Sequence, residues 1–220
     1  MIPSPLSSQL KLSAQEAKRL LAEDVRVLDL RPPGDFVLGH LPKAINLQYL
    51  RADFANRLSR VLPGVRRLML CSSTDQIACD AASTLKEEAP SYQVMGCLAG
   101  QGVETWREAG LPLEQLSYIS VPELAKHQHL LIIDVREPYE FYEAHIPGAF
   151  LLPWYEASES LYKVPKHRPI ALICASEVRS SFVSSLFKAD GREVYLVKGG
   201  MTDWLKAGLT IQKGLLGDLA

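Results

Sequence analysis

The feature that most constrains this chain is that it is written twice. Leu28–Ala44 reads LDLRPPGDFVLGHLPKA, and Ile133–Ala149 reads IDVREPYEFYEAHIPGA. Asp29/Asp134, Arg31/Arg136, Pro33/Pro138, Phe36/Phe141, His40/His145, Pro42/Pro147 and Ala44/Ala149 are identical at one constant spacing. A second match, Trp106–Leu111 (WREAGL) against Trp204–Leu209 (WLKAGL), stands at a slightly shorter spacing. Small deletions therefore fall between the motifs, in loops, where length is tolerated. Two units of this size are too few and too long for a solenoid. Each is long enough to bury a core of its own, so two duplicated domains are expected, residues 1–115 and 116–220, meeting near Glu114–Tyr118.

Within each half, strand and helix signals alternate. In the second half, short apolar runs at Leu130–Val135, Ala149–Leu152, Ile170–Cys174 and Val194–Val197 predict strands. Helices are predicted over Tyr139–Ala144, over Val178–Ala189 and around Trp204. The first half repeats the order, with strands at Val25–Leu30, Ala44–Leu47, Arg67–Cys71 and Tyr92–Met95 and a helix over Gln76–Glu87. Continuous apolar strands separated by helices indicate an α/β fold, a mostly parallel sheet flanked by helices on both faces. In such sheets the reactive site lies beyond the carboxyl ends of the strands. Cys71 and Cys174 fall there.

Charge and cysteine usage exclude several function classes. With 24 basic and 25 acidic residues the net charge is −1, so neither a nucleic acid nor an anionic membrane is an expected partner. No run approaches the roughly 20 apolar residues of a membrane-spanning helix. Met1-Ile2-Pro3-Ser4-Pro5 has neither a basic segment nor a long apolar run, so no signal peptide is expected. The cysteines Cys71, Cys79, Cys97 and Cys174 form no C-x-x-C pair and no metal-ligand spacing. No metal, no other cofactor and no disulfide framework are expected. A reducing cytoplasm follows, where an accessible thiolate stays available for chemistry.

The chemistry concentrates in Cys174-Ala175-Ser176-Glu177-Val178-Arg179-Ser180. The cysteine ends an apolar strand, the loop is short, and a helix begins near Val178. Backbone N–H groups at a helix N-terminus, together with its dipole, favour an anion; Arg179 adds a cation, and the thiolate is favoured. Curled around Cys174 Sγ, this loop would point the N–H groups of Ser176, Glu177, Val178, Arg179 and Ser180 inward as an anion-binding nest. The alternative is that Cys174 is an inert core residue. The equivalent loop of the first half, Cys71-Ser72-Ser73-Thr74-Asp75-Gln76-Ile77, keeps the cysteine. It has Gln76 in place of Arg179 and adds Asp75, so the Cys71 thiol should be less ionised.

Three ordered motifs carry a family resemblance: Asp-x-Arg-x-x-x-x-Phe-x-x-x-His-Ile-Pro-Gly-Ala at 134–149, Cys-x4-Arg-Ser at 174–180 and Lys-Gly-Gly-x-x-x-Trp at 198–204. Over about residues 119–211 this resembles the rhodanese sulfurtransferases, and about 13–115 carries a weaker copy, so the chain resembles a tandem rhodanese. The resemblance implies two rhodanese-like domains, the first expected to have an inactive or degraded loop and the second to carry the active cysteine. Cys174 matches the family's persulfide carrier, with Ala175–Ser180 as the substrate-binding loop and Cys71 as a possible second site. The implied reaction moves a sulfane sulfur from a donor (thiosulfate, a persulfide or a mercaptopyruvate-like compound) to a thiol, cyanide or a carrier protein. Two departures bear on this. The family often has Gly where Glu177 stands; if that position needs positive φ, Glu177 carries about 1–2 kcal/mol of strain, and its carboxylate must turn outward or pair with Arg179. Ser176 and Glu140 also stand where thiosulfate-specific members are basic, which disfavours thiosulfate as the donor.

Two other functions share these residues. Cysteine phosphatases and arsenate reductases of this fold close a Cys-x5-Arg loop around a tetrahedral oxyanion; Cys-x4-Arg suits a single sulfur. A non-catalytic binding or regulatory module is the third reading, since the Gln76 loop has already drifted. Asp134 and Arg136 are expected to brace the cysteine loop, the strand-end carboxylate accepting loop N–H groups. His145 invites a Cys–His pairing, but its counterpart His40 persists beside the drifted loop, so both are expected to be structural. Trp106 and Trp204 are expected as core anchors, Gly199-Gly200 as a strand-to-helix turn, and Trp154-Tyr155 as a wall of the cleft. Cys79 and Cys97 are assigned no chemistry.

Overall fold

The computed structural model describes residues 10–214; the Met1–Pro5 stretch, used above to exclude a signal peptide, lies outside the described residues. The chain divides into two compact units, Met1–Gln115 and Leu116–Ala220. In the first, β1 (Lys11–Leu12), α1 (Ala14–Leu21), β2 (Arg26–Asp29), α2 (Pro33–Leu38), β3 (Ile45–Asn46), α3 (Phe54–Val61), β4 (Arg67–Cys71), α4 (Asp75–Glu88), β5 (Gln93–Leu98) and α5 (Val103–Glu108) follow in order. The second runs β6 (Ser117–Ile119), α6 (Val121–Leu124), β7 (Leu131–Asp134), α7 (Pro138–Glu143), β8 (Phe150–Leu151), α8 (Ala157–Ser160), β9 (Ile170–Ile173), α9 (Val178–Ala189), β10 (Val194–Val197) and α10 (Gly200–Lys206).

Each unit is a five-stranded sheet in which every strand pair is parallel, ordered β1-β5-β4-β2-β3 in the first and β6-β10-β9-β7-β8 in the second. The two orders match element for element. The sheets are covered on both faces, which is why the central strands are apolar without alternation. In β9, all of Ile170–Ile173 is buried. Ala171 and Ile173 enter one cluster with Leu124, Phe141, Met201 and Trp204 from α6, α7 and α10. Ile170 and Leu172 face the other side, where Phe182, Val183 and Phe187 of α9 are fully buried.

The predicted bounds of β4, β10 and α9 are met. Missing from the ranges expected from sequence are the edge strands β1 and β6, too short to show a period, and the helices α1, α2, α3, α5, α6 and α8. Both α1 and α6 open on the same capping box: Ser13 with Glu16, and Ser120 with Glu123. Each unit also closes with an isolated antiparallel bridge, His40 to Glu114 and His145 to Gln212. Among the described residues, no helix is long and apolar enough to cross a membrane.

Candidate active site

Cys174 lies one residue beyond β9, and α10 shapes the loop that follows. The N–H groups of Met201 and Thr202 donate to the carbonyls of Cys174 (2.8 Å) and Ala175 (3.0 Å), and Thr202 Oγ1 also donates to Ala175 O (2.8 Å). A Cβ at Gly200 would collide with the carbonyl oxygens of Cys174, Ala175 and Ser176. Gly199 and Gly200 both have left-handed backbones, with φ 73° and 60°. Only a residue without a side chain fits this approach, and the expected Gly-Gly turn between strand and helix is present.

With three successive carbonyls turned toward α10, the sulfur meets the start of α9. Ser180 N–H donates to Cys174 Sγ at 3.4 Å, and Ser180 Oγ lies 3.2 Å from it. Of the five amides expected to converge on the sulfur, this is the one that bonds it. Among the described residues, none accepts from the N–H groups of Ser176, Glu177, Val178 or Arg179. First-turn amides of a helix need an external acceptor, and an anion brought to this loop supplies one. The thiol itself is buried, 1% exposed. This corrects the expectation of an accessible sulfur: α10 draws the loop closed over it. Its hydrogen-bonding contacts are nonetheless polar.

The charged groups depart from expectation in two ways. Arg179 is not a free cation. Its guanidinium makes two bonds to the Glu140 carboxylate, 2.5 and 2.9 Å, with both side chains largely buried. Burial opposes ionisation of Glu140, but the Arg179 hydrogen bonds, the Glu137 N–H and the charges of Arg179 and Arg136 together outweigh it and hold the carboxyl below its ordinary range. Glu177, for its part, is unstrained, with φ −152°. It turns away from Arg179: Oε1 accepts from Gly199 N–H (2.8 Å) and Oε2 from Tyr118 OH (2.6 Å). Burial and this carboxylate push the Tyr118 phenol well above its usual value. Sequence reasoning missed Tyr118, Thr202 and the structural use of Gly200; their partners are distant in the chain and leave no local pattern.

Asp134 and Arg136 do something other than brace the cysteine loop. Asp134 accepts from the backbone and side chain of Arg136, whose guanidinium reaches Ala144 O at 2.6 Å. The pair locks the connection around α7. Asp29 and Arg31 repeat this, with Gly39 O as the acceptor. His145 stacks on Phe141 and bonds its carbonyl through Nδ1 at 2.8 Å, as His40 does with Phe36 at 2.9 Å. Both are structural. Trp106 and Trp204 are buried anchors whose indole N–H groups donate to Pro112 O and Thr210 O. Trp154 is buried, donates to Glu137 and meets Phe182 edge-on.

The first unit's loop has the same length and a different interior. The Ile77 N–H, counterpart of Ser180 N–H, donates to Thr74 Oγ1 at 3.3 Å. The Cys71 thiol instead lies against the Gly102 turn: a Cβ on Gly102 would stand 3.1 Å from Sγ and collide with Ser72 O. Burial first, and the Asp29 carboxylate second, push this thiol well above its ordinary value. Asp75 is not the cause, which corrects the expectation. Its carboxylate is held by Lys11 Nζ at 2.6 Å and Gly100 N–H at 2.8 Å. All four cysteines are free and buried.

Comparison with known proteins places these geometries in a wider setting. Residues 13–109 and 120–207 each match the model of the rhodanese-like domain. The uncharacterized protein YqhL of Bacillus subtilis is 33% identical over 81 residues, 36% of this chain and 64% of that protein. The thiosulfate sulfurtransferase GlpE of Coxiella burnetii is 30% identical over 92 residues, 41% of this chain and 86% of that protein. A rhodanese-related protein of Thermoplasma volcanium, known by crystal structure, is 25% identical over 44% of this chain and 97% of its own, with a TM-score of 0.43.

Proposed function

This chain belongs to the rhodanese-like domain family, and from that premise we propose that its second unit is a sulfurtransferase using Cys174. The observation that carries the reading is the sulfur's setting: a strand-end cysteine with the Ser180 N–H and Oγ on Sγ, below a helix start whose other first-turn amides lack acceptors. The thiolate would attack the outer sulfur of a donor R–S–S⁻. A new Sγ–S bond forms, the donor's S–S bond breaks, and its electron pair leaves with R–S⁻. The enzyme-bound persulfide is anionic at its terminal sulfur, where the free loop amides can stabilise it. An acceptor nucleophile then takes that sulfur and returns Cys174 as the thiolate, a two-step, ping-pong course.

The same residues narrow the substrates. Glu140 neutralises Arg179 beside the loop, so a dianion such as thiosulfate gains little there. A persulfide or polysulfide donor suits the site better, or a mercaptopyruvate-like donor whose C–S bond breaks with its electron pair leaving as the enolate; a thiol, cyanide or a carrier protein is the acceptor. The neutralised arginine also argues against phosphatase chemistry, which needs that cation for a tetrahedral dianion. A reducing cytoplasm fits this chemistry. For the first unit we assign a structural or regulatory role, because Cys71 is sealed beneath Gly102 with its loop amide already taken.

The test is intact mass measured after incubation with several sulfane donors. Gain of one sulfur, lost in Cys174→Ser, is the expected result. No gain with any donor, accompanied by hydrolysis of an aryl phosphate, would replace the reading with a phosphatase.

A further inference from the structure

The two loops differ at the residue before the helix. In the first unit it is Thr74, whose hydroxyl accepts the Ile77 N–H and caps α4. In the second it is Glu177, and α9 has no side-chain cap. A residue at this position with a short side-chain oxygen folds back onto its own helix by default. Glu177 does not: its carboxylate oxygens bond elsewhere, to Gly199 N–H and Tyr118 OH. The uncapped amide of Ser180 is then left to the Cys174 sulfur.

We propose that Glu177 is a positioning residue: its carboxylate, tied to the Gly199 turn and to Tyr118, keeps the α9 cap vacant so that the Ser180 N–H is delivered to Cys174. The inference rests on the reading of Cys174 as the reactive thiol, but not on what that thiol carries. The first unit shows that the tie and the cap are separable. There a carboxylate also fastens the corresponding turn, Asp75 holding Gly100 N–H and, on the edge strand, Lys11. It does so from inside the helix, which leaves the cap position to Thr74. The tie alone therefore does not free the amide. What frees it is that the tie is made by the cap residue itself.

The experiment follows alkylation of Cys174 by iodoacetamide against pH, read peptide by peptide in the full chain, with circular dichroism and melting to confirm the fold. Arg179 and Glu140, the charged pair beside the loop, are left untouched. In Glu177→Thr the hydroxyl captures the Ser180 amide, and the alkylation midpoint should rise by about one pH unit, the scale of one charge-assisted hydrogen bond. Glu177→Ala loses the tie without supplying a cap and should move the midpoint by clearly less. Glu177→Gln keeps an acceptor for Gly199 and should titrate with the wild type. A Glu177→Thr profile that overlays the wild type overturns the proposal, as does an alanine or glutamine variant that shifts as far as the threonine. If Glu177→Thr melts within the pH range, Glu177→Ser carries the same test. Because alkylation needs no sulfur donor, a protein that accepts no sulfur but follows this pattern would refute the transferase reading and leave the positioning role standing.

Discussion

Cys71 is the last residue of β4 and Cys174 the first residue after β9, the equivalent strands of two matching sheets, and each is followed by a loop of one length and a helix. One equivalent amide has a different partner in each. In the second unit it points at sulfur; in the first it is held by a threonine hydroxyl, and the sulfur beneath is closed in by the Gly102 turn. A cap of the Thr74 kind is worth about 1 kcal/mol to its helix. The first unit thus has the capped helix start and a thiol whose ionisation burial opposes. The comparison teaches that an amide in the first turn of a helix can serve its own cap or a neighbouring sulfur, and the two loops use the equivalent amide differently.

The largest expected contrast is all-or-none. Cys71→Ser should leave sulfur loading of the protein at the wild-type level, one sulfur per chain by intact mass. A second loaded sulfur in the wild type, absent from that variant, would end the division of labour between the two loops. Next come the two glycines. Gly200→Ala, in a left-handed backbone against three carbonyls, should destabilise the second unit by about 2 kcal/mol or more and abolish loading. Gly102→Ala should destabilise the first unit similarly while loading persists. Denaturant unfolding and intact mass read both, and loss of loading in Gly102→Ala would break the comparison.

The smallest contrast is in pH dependence, and its sign differs between the units. Glu140 titrates below its ordinary value of 4.5 in the folded protein. Its contribution to stability is present above 4.5 and is lost as pH falls through the lower folded value. Cys71 titrates well above 9.0 when folded. The stability associated with its neutral form is full below 9.0 and declines as pH rises beyond that toward the folded value. Melting across pH should show an acid-side loss that Glu140→Gln diminishes and an alkaline-side loss that Cys71→Ala diminishes. Exchanged assignments, with Cys71→Ala altering only the acid limb, would show that burial does not govern that thiol.

The duplicated motifs and the apolar strands were legible because a strand buried on both faces writes itself as a continuous run. The edge strands Lys11–Leu12 and Ser117–Ile119 were not, being short and half-polar. At the site, the cysteine, the helix start and the Gly-Gly turn could be read locally. The charges could not: Arg179 meets Glu140 across 39 residues, and Glu177 meets Tyr118 across 59. A side chain's partner at such separation depends on which strands lie side by side, which composition and spacing do not encode. Asp134 was misjudged for the opposite reason, its nearest available donor being Arg136, two residues away.

The paired bridges from His40 to Glu114 and from His145 to Gln212 have a practical corollary. Each fastening joins a unit's early His-x-Pro turn to a residue that follows that unit's last described helix, in the manner of a clasp. A cut between Gln115 and Leu116 would leave both clasps intact, whereas trimming the chain back past Gln212 would open one. Anyone dissecting this protein into pieces should place the scissors accordingly.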